Sequence, residues 1–371
     1  MKCNKKKFFL MDLTNKKFFA IIILKVNVLN EGRMKMKKYF VSYVIPAYNC
    51  KDTLGMTLAS IAMQQFKHEI QVVIADDCST EDYTSIINKY KDDVDISLVR
   101  LEKNSGPGVA RQLGIDNSNS EYVSFVDADD QLTFDAYVNV REVLMQQHPD
   151  MLITNFLEQS GDLKTYVPHT RDTVWVHGKY FKKSFLDENE IRCHETLRTH
   201  EDIYFNHLVL NTTDNVMGVD FATYIWNFKP DSLTRRLYNG CHTYVEQCLP
   251  DYVEATIAPC RKLIAQNPSK YKEKVKDLMV LHPLYLYFYI QSFKYEHPYE
   301  WYKHNLLEVT KVLKLIEENY HMTYKEIVHY ISERKGVYSM IRQACERGVG
   351  DFMEQESFYS FLEVCSKLEL K

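Results

Sequence analysis

The sequence lacks the features that mark membrane-spanning, nucleic-acid-binding and loop-rich all-β proteins. Its apolar run near the N-terminus, residues 18–24, has seven residues, whereas a membrane-spanning helix needs about 20. The formal net charge of −4 gives no strong basic field to attract nucleic acid, so no nucleic-acid partner is expected. Glycine is scarce, with 12 in 371 residues, which argues against a loop-rich chain of β-strands. These absences favour an ordinary soluble globular protein.

Cysteine-pairing motifs are also missing. The nine cysteines include no Cys-x-x-Cys pair and are too sparse for a disulfide framework, which predicts reduced thiols in a cytoplasmic protein. What is present is an ordinary balance of 45% apolar and 26% charged residues. A chain of 371 residues suggests two domains, or one large domain with an appendage.

Residues 1–37 are predicted to be an N-terminal extension outside the fold. They carry two lysine–aromatic blocks, at 5–9 and 16–19, and no Ala-x-Ala-like cleavage site. The favoured interpretation is a disordered tail or a start assigned too far upstream, with Met34 or Met36 as the true initiator. A signal peptide or anchor is the alternative.

From residue 38 the apolar pattern alternates between strands and helices. Strands are predicted at 39–45, 70–75, 96–101, 122–126 and 151–156, and helices at 52–66, 81–90, 107–117 and 134–147. Strand–helix alternation with short loops predicts a doubly wound α/β sheet. In such sheets the ligand binds beyond the carboxyl ends of the strands, so the residues that follow each strand are the candidates for a site.

Polar clusters follow three of these strands, at residues 46–49, 76–80 and 127–130. Any one of them could be a turn or a helix cap. Together they place several carboxylate and amide groups at one edge of the sheet, where the acids repel one another unless a cation is bound. Carboxylate oxygens suit Mg²⁺ or Mn²⁺. Asp127 and Asp129 could reach one ion together, which predicts a divalent metal with a diphosphate-bearing ligand.

Four motifs in order resemble those of a known family. They are Val44–Asn49, Ala75–Thr80, Asn104–Arg111 and Val126–Asp130. The set strongly resembles family-2 glycosyltransferases with the GT-A fold, a Rossmann-like, mostly parallel sheet flanked by helices. Four later segments extend the resemblance to residue 236, namely Trp175–Tyr180, His200–Asn206, Tyr224–Trp226 and Ser232–Arg236. The resemblance implies a glycosyltransferase domain over residues 38–240.

The resemblance also implies a nucleotide-sugar site. Its predicted residues are Pro46, Ala47, Tyr48, Asn49, Asp77, Asn104, Arg111, Asp127, Ala128, Arg235 and Arg236. Tyr48 is expected to pack on the base and Asp77 to accept a hydrogen bond from uracil, with Arg111 near the nucleotide end. Asp127 is expected to contact the ribose or the sugar. The two late arginines are expected over the diphosphate, the alternative being an exposed charged turn.

Catalysis in this family is an inverting, single displacement by an acceptor hydroxyl. The resemblance implies Asp202 as general base, Glu201 beside it at the acceptor, and Asp129 as ligand of Mn²⁺ or Mg²⁺. The expected donor is a UDP-sugar of hexose or N-acetylhexosamine type. The expected acceptor is a growing or lipid-linked glycan, such as a surface or capsular polysaccharide or a teichoic-acid-like polymer.

The C-terminal third differs from the rest of the chain. Helices are predicted at 242–266, 271–295, 301–319, 324–334 and 352–370, which indicates an α-helical accessory domain over residues 241–371. This region could complete the acceptor groove, mediate self-association, dock on a membrane surface, or simply close the catalytic domain. A cytoplasmic location is expected, and a position at the inner face of the membrane is the alternative.

Two other functions fit parts of the pattern. A nucleotidyltransferase would also use metal-binding carboxylates, but it would require a glycine-rich, basic phosphate loop where this chain has residues 46–49. A degenerate glycan-binding or scaffold protein would have lost Asp129 or Asp202, and both are present.

Overall fold

The computed structural model describes residues 39–230, 237–238, 241–293, 299–334, 336–337 and 355–369. The predicted extension over residues 1–37 lies outside the described residues, and so do Arg235 and Arg236.

Strands and helices alternate through the first part of the chain. The strands are β1 (Tyr39–Ala47), β2 (Ile70–Asp76), β3 (Asp95–Arg100), β4 (Ser120–Phe125), β5 (Gln131–Leu132), β6 (Met151–Gln159), β7 (Tyr166–His169), β8 (Lys179–Lys182) and β9 (Val216–Trp226). The helices between them are α1 (Lys51–Ala62), α2 (Thr84–Tyr90), α3 (Pro107–Asp116), α4 (Ala136–Gln147), α5 (Lys183–Glu188) and α6 (Glu201–Thr212).

The C-terminal part is mainly helical, as predicted. After a two-stranded hairpin of β10 (Leu237–Tyr238) and β11 (Cys241–His242) come α7 (Thr243–Gln266), α8 (Pro268–Tyr271), α9 (Lys276–Phe293), α10 (Tyr299–Tyr320), α11 (Tyr324–Ser332) and α12 (Gln355–Ser366). None of the helices in the described ranges is both long and apolar enough to cross a membrane. The described thiols, of Cys50, Cys78, Cys193, Cys260 and Cys365, are free.

The nine strands β1–β9 form one mixed sheet with helices packed against it. The order is β3-β2-β1-β4-β8-β6-β9-β5, and β7 pairs with β6. Strands β3, β2, β1 and β4 are parallel, whereas β8 is antiparallel to both β4 and β6. The predicted fold class, an α/β sheet with a helical C-terminal region, is confirmed.

The parallel register brings the predicted site segments together. Ala47 at the end of β1 is opposite Asp76 at the end of β2, and Val44 is opposite Phe125 at the end of β4. The carboxyl ends of these three strands therefore lie at one edge. The loops that leave them start side by side, which is the arrangement that a shared ligand site requires.

Helix α3 lies unusually close to this part of the sheet. A Cβ atom added at Gly114 would lie 2.2 Å from Cγ1 of Val44 in β1. Gly106, just before the helix, has a φ of 98°, a conformation that favours glycine. Pro107 then occupies the first turn, where a missing N–H leaves no hydrogen bond unmade.

The helical region packs directly on the back of α6. Leu208 and Val209 of α6 belong to the same buried apolar cluster as Val253 and Ile257 of α7. The described residues, which begin at 39, form a single compact unit. The proposed division at residue 240 stays a prediction, but its two sides share a core.

Candidate active site

A cleft of about 630 Å³ opens at the carboxyl ends of β1, β2 and β4. All of the predicted site residues that the structure describes line it, namely Pro46, Ala47, Tyr48, Asn49, Asp77, Asn104, Arg111, Asp127, Ala128, Asp129, Glu201 and Asp202. Arg235 and Arg236 are outside the described residues. The structure thus brings together residues that are up to 156 positions apart, from Pro46 to Asp202.

One end of the cleft is built around Asp77. Its Oδ1 accepts the backbone N–H of Ser105 at 2.6 Å, and its Oδ2 accepts that of Gly106 at 2.8 Å. The Asp77 side chain is therefore buried and fixed, while each oxygen keeps a further lone pair for a ligand. Tyr48 is 52% exposed and lines the cleft.

Asn49 joins two of the site loops. It has a φ of 46°, and its Oδ1 accepts the backbone N–H of Thr80 at 2.9 Å and the hydroxyl of Thr80 at 3.1 Å. The side chain that was predicted at the nucleotide site thus ties the loop after β1 to the loop after β2.

Arg111 crosses the floor of the cleft. Its guanidinium donates to Asp127 Oδ1 at 2.8 Å and to Glu201 Oε1 at 2.5 Å. Burial acts to lower the pKa of Arg111, but the charges of Asp127 and Glu201 outweigh it, and the pKa stays raised. For Asp127, burial acts to raise the pKa, and Arg111 and His177 lower it well below its usual value. Arg111 is therefore a fixed charge between the strand-end acids and α6.

Asp202 lies in the first turn of α6, next to this ion pair. Burial raises its pKa to about 7, with the neighbouring charge of Glu201 adding to the shift and Arg111 opposing it. A carboxyl group with a pKa near neutral can accept a proton in the physiological range. The two neighbouring acids thus differ in their surroundings. Glu201 is paired with Arg111, whereas Asp202 has no such ion pair within the described ranges and lines the cleft.

The acids after β4 have unequal surroundings. Asp130 is buried, and it accepts the hydroxyl of Tyr224 at 2.6 Å and the backbone N–H of Asn227 at 2.8 Å. Burial and the charge of Asp127 raise its pKa well above the usual value. Burial and the charge of Asp127 also raise the pKa of Asp129, whose Oδ2 is 3.5 Å from Nζ of Lys229.

This cluster has the composition of a divalent metal site. Ligand atoms of Asp127, Asp130 and His177 lie within 4.8 Å of one another, and Nδ1 of His177 is buried without a hydrogen-bond partner. Asp129 lies outside that trio but faces the same cleft. Carboxylate oxygens with one imidazole suit Mg²⁺ or Mn²⁺. Burial, and after it the repulsion between these acids, raises the pKa values of Asp129 and Asp130. A bound cation would relieve that repulsion, so the residues fit such an ion.

Part of the chain matches a family model. Residues 42–201 match the model of glycosyl transferase family 2. This segment, which is less than half of the 371 residues, is therefore similar to glycosyl transferase family 2.

Two curated relatives are enzymes of Staphylococcus aureus. Poly(ribitol-phosphate) beta-N-acetylglucosaminyltransferase TarS of strain Mu50 is 29% identical over 178 residues, which are 44% of this chain and 31% of the relative. The corresponding enzyme TarP of strain N315 is 27% identical over 307 residues, 75% of this chain and 90% of the relative. The chain thus spans about a third of the length of TarS.

Solved structures of TarS share the fold. The crystal structure of S. aureus TarS 1–349 in complex with UDP-GlcNAc superposes with a TM-score of 0.63 at 19% identity, covering 87% of this chain and 90% of that one. The complex of the same fragment with UDP gives 0.61 over the same coverage. The chain therefore shares the fold of these structures, and the predicted GT-A fold is confirmed.

Two polar side chains beside the cleft were not predicted from the sequence. Lys179 is fully buried, contacts the carbonyl of Trp175 and lies 3.6 Å from Asp172, and burial lowers its pKa to about 8. Nδ2 of Asn206 donates to the carbonyls of Val174 and Trp175 at 2.8 and 3.1 Å. Asn206 thus ties the loop before β8 to α6, and Lys179 ties the same loop to β8. The partners of Asn206 are about 30 residues away in sequence, so local spacing gives no reason to expect that contact.

Aromatic rings form the wall opposite the strand ends. The ring of His177 stacks on Tyr224 with centroids 4.5 Å apart, and Trp175 lies 5.1 Å from Trp226. The segment 175–180 was recognised from the family resemblance, but the role of His177 beside Asp127 was not, because only the fold places their atoms 3.5 Å apart.

Proposed function

We propose that this protein transfers a sugar from a UDP-sugar, with inversion, to a hydroxyl group of a glycan acceptor. The observation that carries the proposal is the placement of Asp202 in the same cleft as Tyr48, Asp77 and the acids after β4. Relatives named as N-acetylglucosaminyltransferases of poly(ribitol phosphate) make UDP-GlcNAc the first donor to test. They also make a teichoic-acid-type polymer the first acceptor.

The donor half of the site is the Asp77 end of the cleft. The exposed ring of Tyr48 packs on the base, and the free lone pairs of Asp77 accept the N–H of a uracil ring. Because Asp77 is already fixed by Ser105 and Gly106, it loses little conformational freedom when the nucleotide binds. The alternative of a basic, glycine-rich phosphate loop has no counterpart in residues 46–49.

The diphosphate end is the cluster after β4. Asp129 and Asp127 are proposed to hold a Mg²⁺ or Mn²⁺ ion, with Asp130 and His177 next to them. When bound, such an ion supplies Lewis-acid neutralisation of the charge that develops on the leaving nucleoside diphosphate. Arg111 keeps Asp127 ionised and oriented for that role.

The acceptor half begins at α6. Asp202, with a pKa of about 7, takes the proton of the acceptor hydroxyl as that oxygen attacks the anomeric carbon. The bond from the anomeric carbon to the diphosphate oxygen breaks in the same step, so the protein needs no nucleophile of its own. Glu201 stays paired with Arg111 and lies on the acceptor side of the base.

The test is a donor screen followed by variants of two residues. Nucleotide sugars are screened by thermal shift with Mn²⁺, and hits are assayed for transfer to poly(ribitol phosphate). Asp202→Asn is expected to abolish transfer while UDP affinity, measured by calorimetry, is unchanged. Asp129→Ala is expected to weaken the Mn²⁺-dependent part of UDP binding. Normal turnover of Asp202→Asn would refute the base assignment, and unchanged Mn²⁺ dependence of Asp129→Ala would refute the metal assignment.

The location of the reaction remains the cytoplasm in this proposal. Free thiols of the described cysteines and a nucleotide-sugar donor are both in keeping with it. Association with the membrane face and self-association through the helical region stay predictions.

A further inference from the structure

The turn that leads into Glu201 and Asp202 is held by the helical region. Oδ2 of Asp251, on α7, accepts the backbone N–H of Arg198 at 3.3 Å, the backbone N–H of Thr199 at 3.1 Å and the hydroxyl of Thr199 at 2.9 Å. A carboxylate that accepts several hydrogen bonds from backbone N–H groups forms strong, charge-assisted contacts. One side chain of the helical region thus fixes two consecutive residues of the turn.

The residues that follow Thr199 in the turn and Asp251 in α7 also contact each other. His200 follows Thr199, and its ring lies 5.2 Å from the ring of Tyr252, which follows Asp251. His200 has a φ of 59°, and its carbonyl accepts the N–H of Tyr204 as α6 begins. The direction in which α6 starts therefore depends on a residue in the left-handed region that Tyr252 covers.

The same turn also reaches the opposite end of the cleft. Nη1 of Arg198 donates to Oδ1 of Asn104 at 3.2 Å. A Cβ added at Gly106 would lie 2.8 Å from that Nη1 atom, so the guanidinium lies directly on the loop that binds Asp77. Residues 198–200 connect the nucleotide loop, α6 and α7.

We infer that Asp251, with Tyr252 beside it, positions Glu201 and Asp202 for the transfer reaction, so that helix α7 is part of the working site. We name this pair the α7 clasp. The inference rests on the proposed function, and it gives the helical region a role beyond closing the fold. Asp251 acts through the turn and is a positioning residue, whereas Asp202 is the group that meets the substrate.

The test compares three variants of α7. Asp251→Ala removes all three hydrogen bonds. Asp251→Asn keeps an oxygen acceptor of the same shape and acts as the conservative rescue. Glu254→Ala is the matched control, because it removes an acid from the same helix whose partner, Arg261 at 2.6 Å, is on the protein surface. Each variant is assayed well below its own melting temperature.

The expected result is a change in kcat with little change in donor binding. Misplacing a reacting group by about 1 Å costs roughly 10²-fold in rate, so Asp251→Ala is expected to lower kcat by about tenfold to a hundredfold. Asp251→Asn is expected to stay within about threefold of wild type, as is Glu254→Ala, and UDP affinity should change by less than about twofold in all three. A merely structural role of Asp251 would affect kcat and UDP affinity together.

Hydrogen exchange tests the clasp without any turnover. The amides of Arg198 and Thr199 should exchange faster in Asp251→Ala and keep their protection in Asp251→Asn and Glu254→Ala. Unchanged protection in Asp251→Ala, or faster exchange with an unchanged kcat, would overturn the inference. If the wild-type protein transfers no sugar from any donor, the proposed function fails, and the exchange experiment still decides whether α7 holds the turn.

Discussion

At the residue scale, Asp202 carries a carboxyl group that ionises near neutral pH. Its pKa of about 7 results first from burial and then from the charge of Glu201. Only the carboxylate can accept a proton, so kcat/KM should fall by about tenfold for each pH unit below 7 and level off above it. The pH–rate profile between pH 5 and 9 measures this, and an acid limb centred near pH 4 would contradict it.

The ionisation of Asp202 should also make the stability of the fold depend on pH, which can be measured without an activity assay. A carboxyl group has a pKa of about 3.9 in an unfolded chain. Since the folded value is higher, the folded state holds a proton between those pH values, and stability is lost as the pH rises through the folded pKa. Asp202→Asn has no carboxyl group to ionise, so it does not lose this stability. Its melting temperature should therefore be higher than that of wild type at pH 8 and close to that of wild type at pH 5. Asp92→Asn, at an exposed position, serves as the control and should follow wild type at both pH values.

Arg111 is the residue whose loss should cost most stability at the site. Its side chain is 8% exposed and compensates both Asp127 and Glu201. Removing one partner of a buried ion pair costs about 3–5 kcal/mol, and the partial exposure of Asp127 favours the lower end for Arg111→Met. Urea denaturation measures the change. Arg111→Lys keeps the positive charge but lacks the planar guanidinium that binds both acids. Its free energy of unfolding should therefore lie between those of wild type and Arg111→Met.

At the element scale, a glycine-to-alanine substitution should change the stability of the protein in opposite directions in α3 and in α1. Gly114→Ala should destabilise the protein by about 1–3 kcal/mol, because the new methyl group would overlap Val44 of β1. Gly55→Ala in α1 should stabilise it by up to about 1 kcal/mol, because its Cβ would lie 3.7 Å from Ile86 and alanine favours the helix. Equal effects of both changes would show that α3 can move away from the sheet.

The strand that is clearest from the sequence is one whose burial is complete. All seven residues of β2 are buried, and this continuous apolar run is legible without the fold. Strand β8 has four residues, and β9 is mostly half-buried and contains Gly218, so neither gives such a run. Strands β8 and β9 were therefore missed, whereas the parallel strands β1–β4 and strand β6 were found.

The site divides in the same way. The topology of parallel sheets gathers strand ends at one edge, so a polar site with Asp77 and Asp127 was predicted from position. Their roles in nucleotide-sugar binding were implied by the family resemblance. Lys179, His177 and Asp251 act through partners that are 4, 50 and 52 residues away in sequence, namely the Trp175 carbonyl, Asp127 and Thr199. For the last two only the folded chain makes the contact, so composition and spacing could not indicate it.

At the scale of the whole molecule, the catalytic sheet and the helical region share one apolar core. The cluster that contains Phe125 and Phe205 continues without interruption through Val253 of α7 to Ile290 of α9. Two parts that bury the same side chains cannot unfold independently without exposing them to water. The chain should therefore unfold in a single calorimetric transition, with a van't Hoff enthalpy close to the calorimetric enthalpy. Val253→Ala should lower the midpoint of that transition without splitting it, since it loosens the contact from both sides at once. Two resolved transitions would instead show that residues 241–371 unfold as a separate domain. The contacts of α7 with the turn before Glu201 would then be lost in the first of the two transitions.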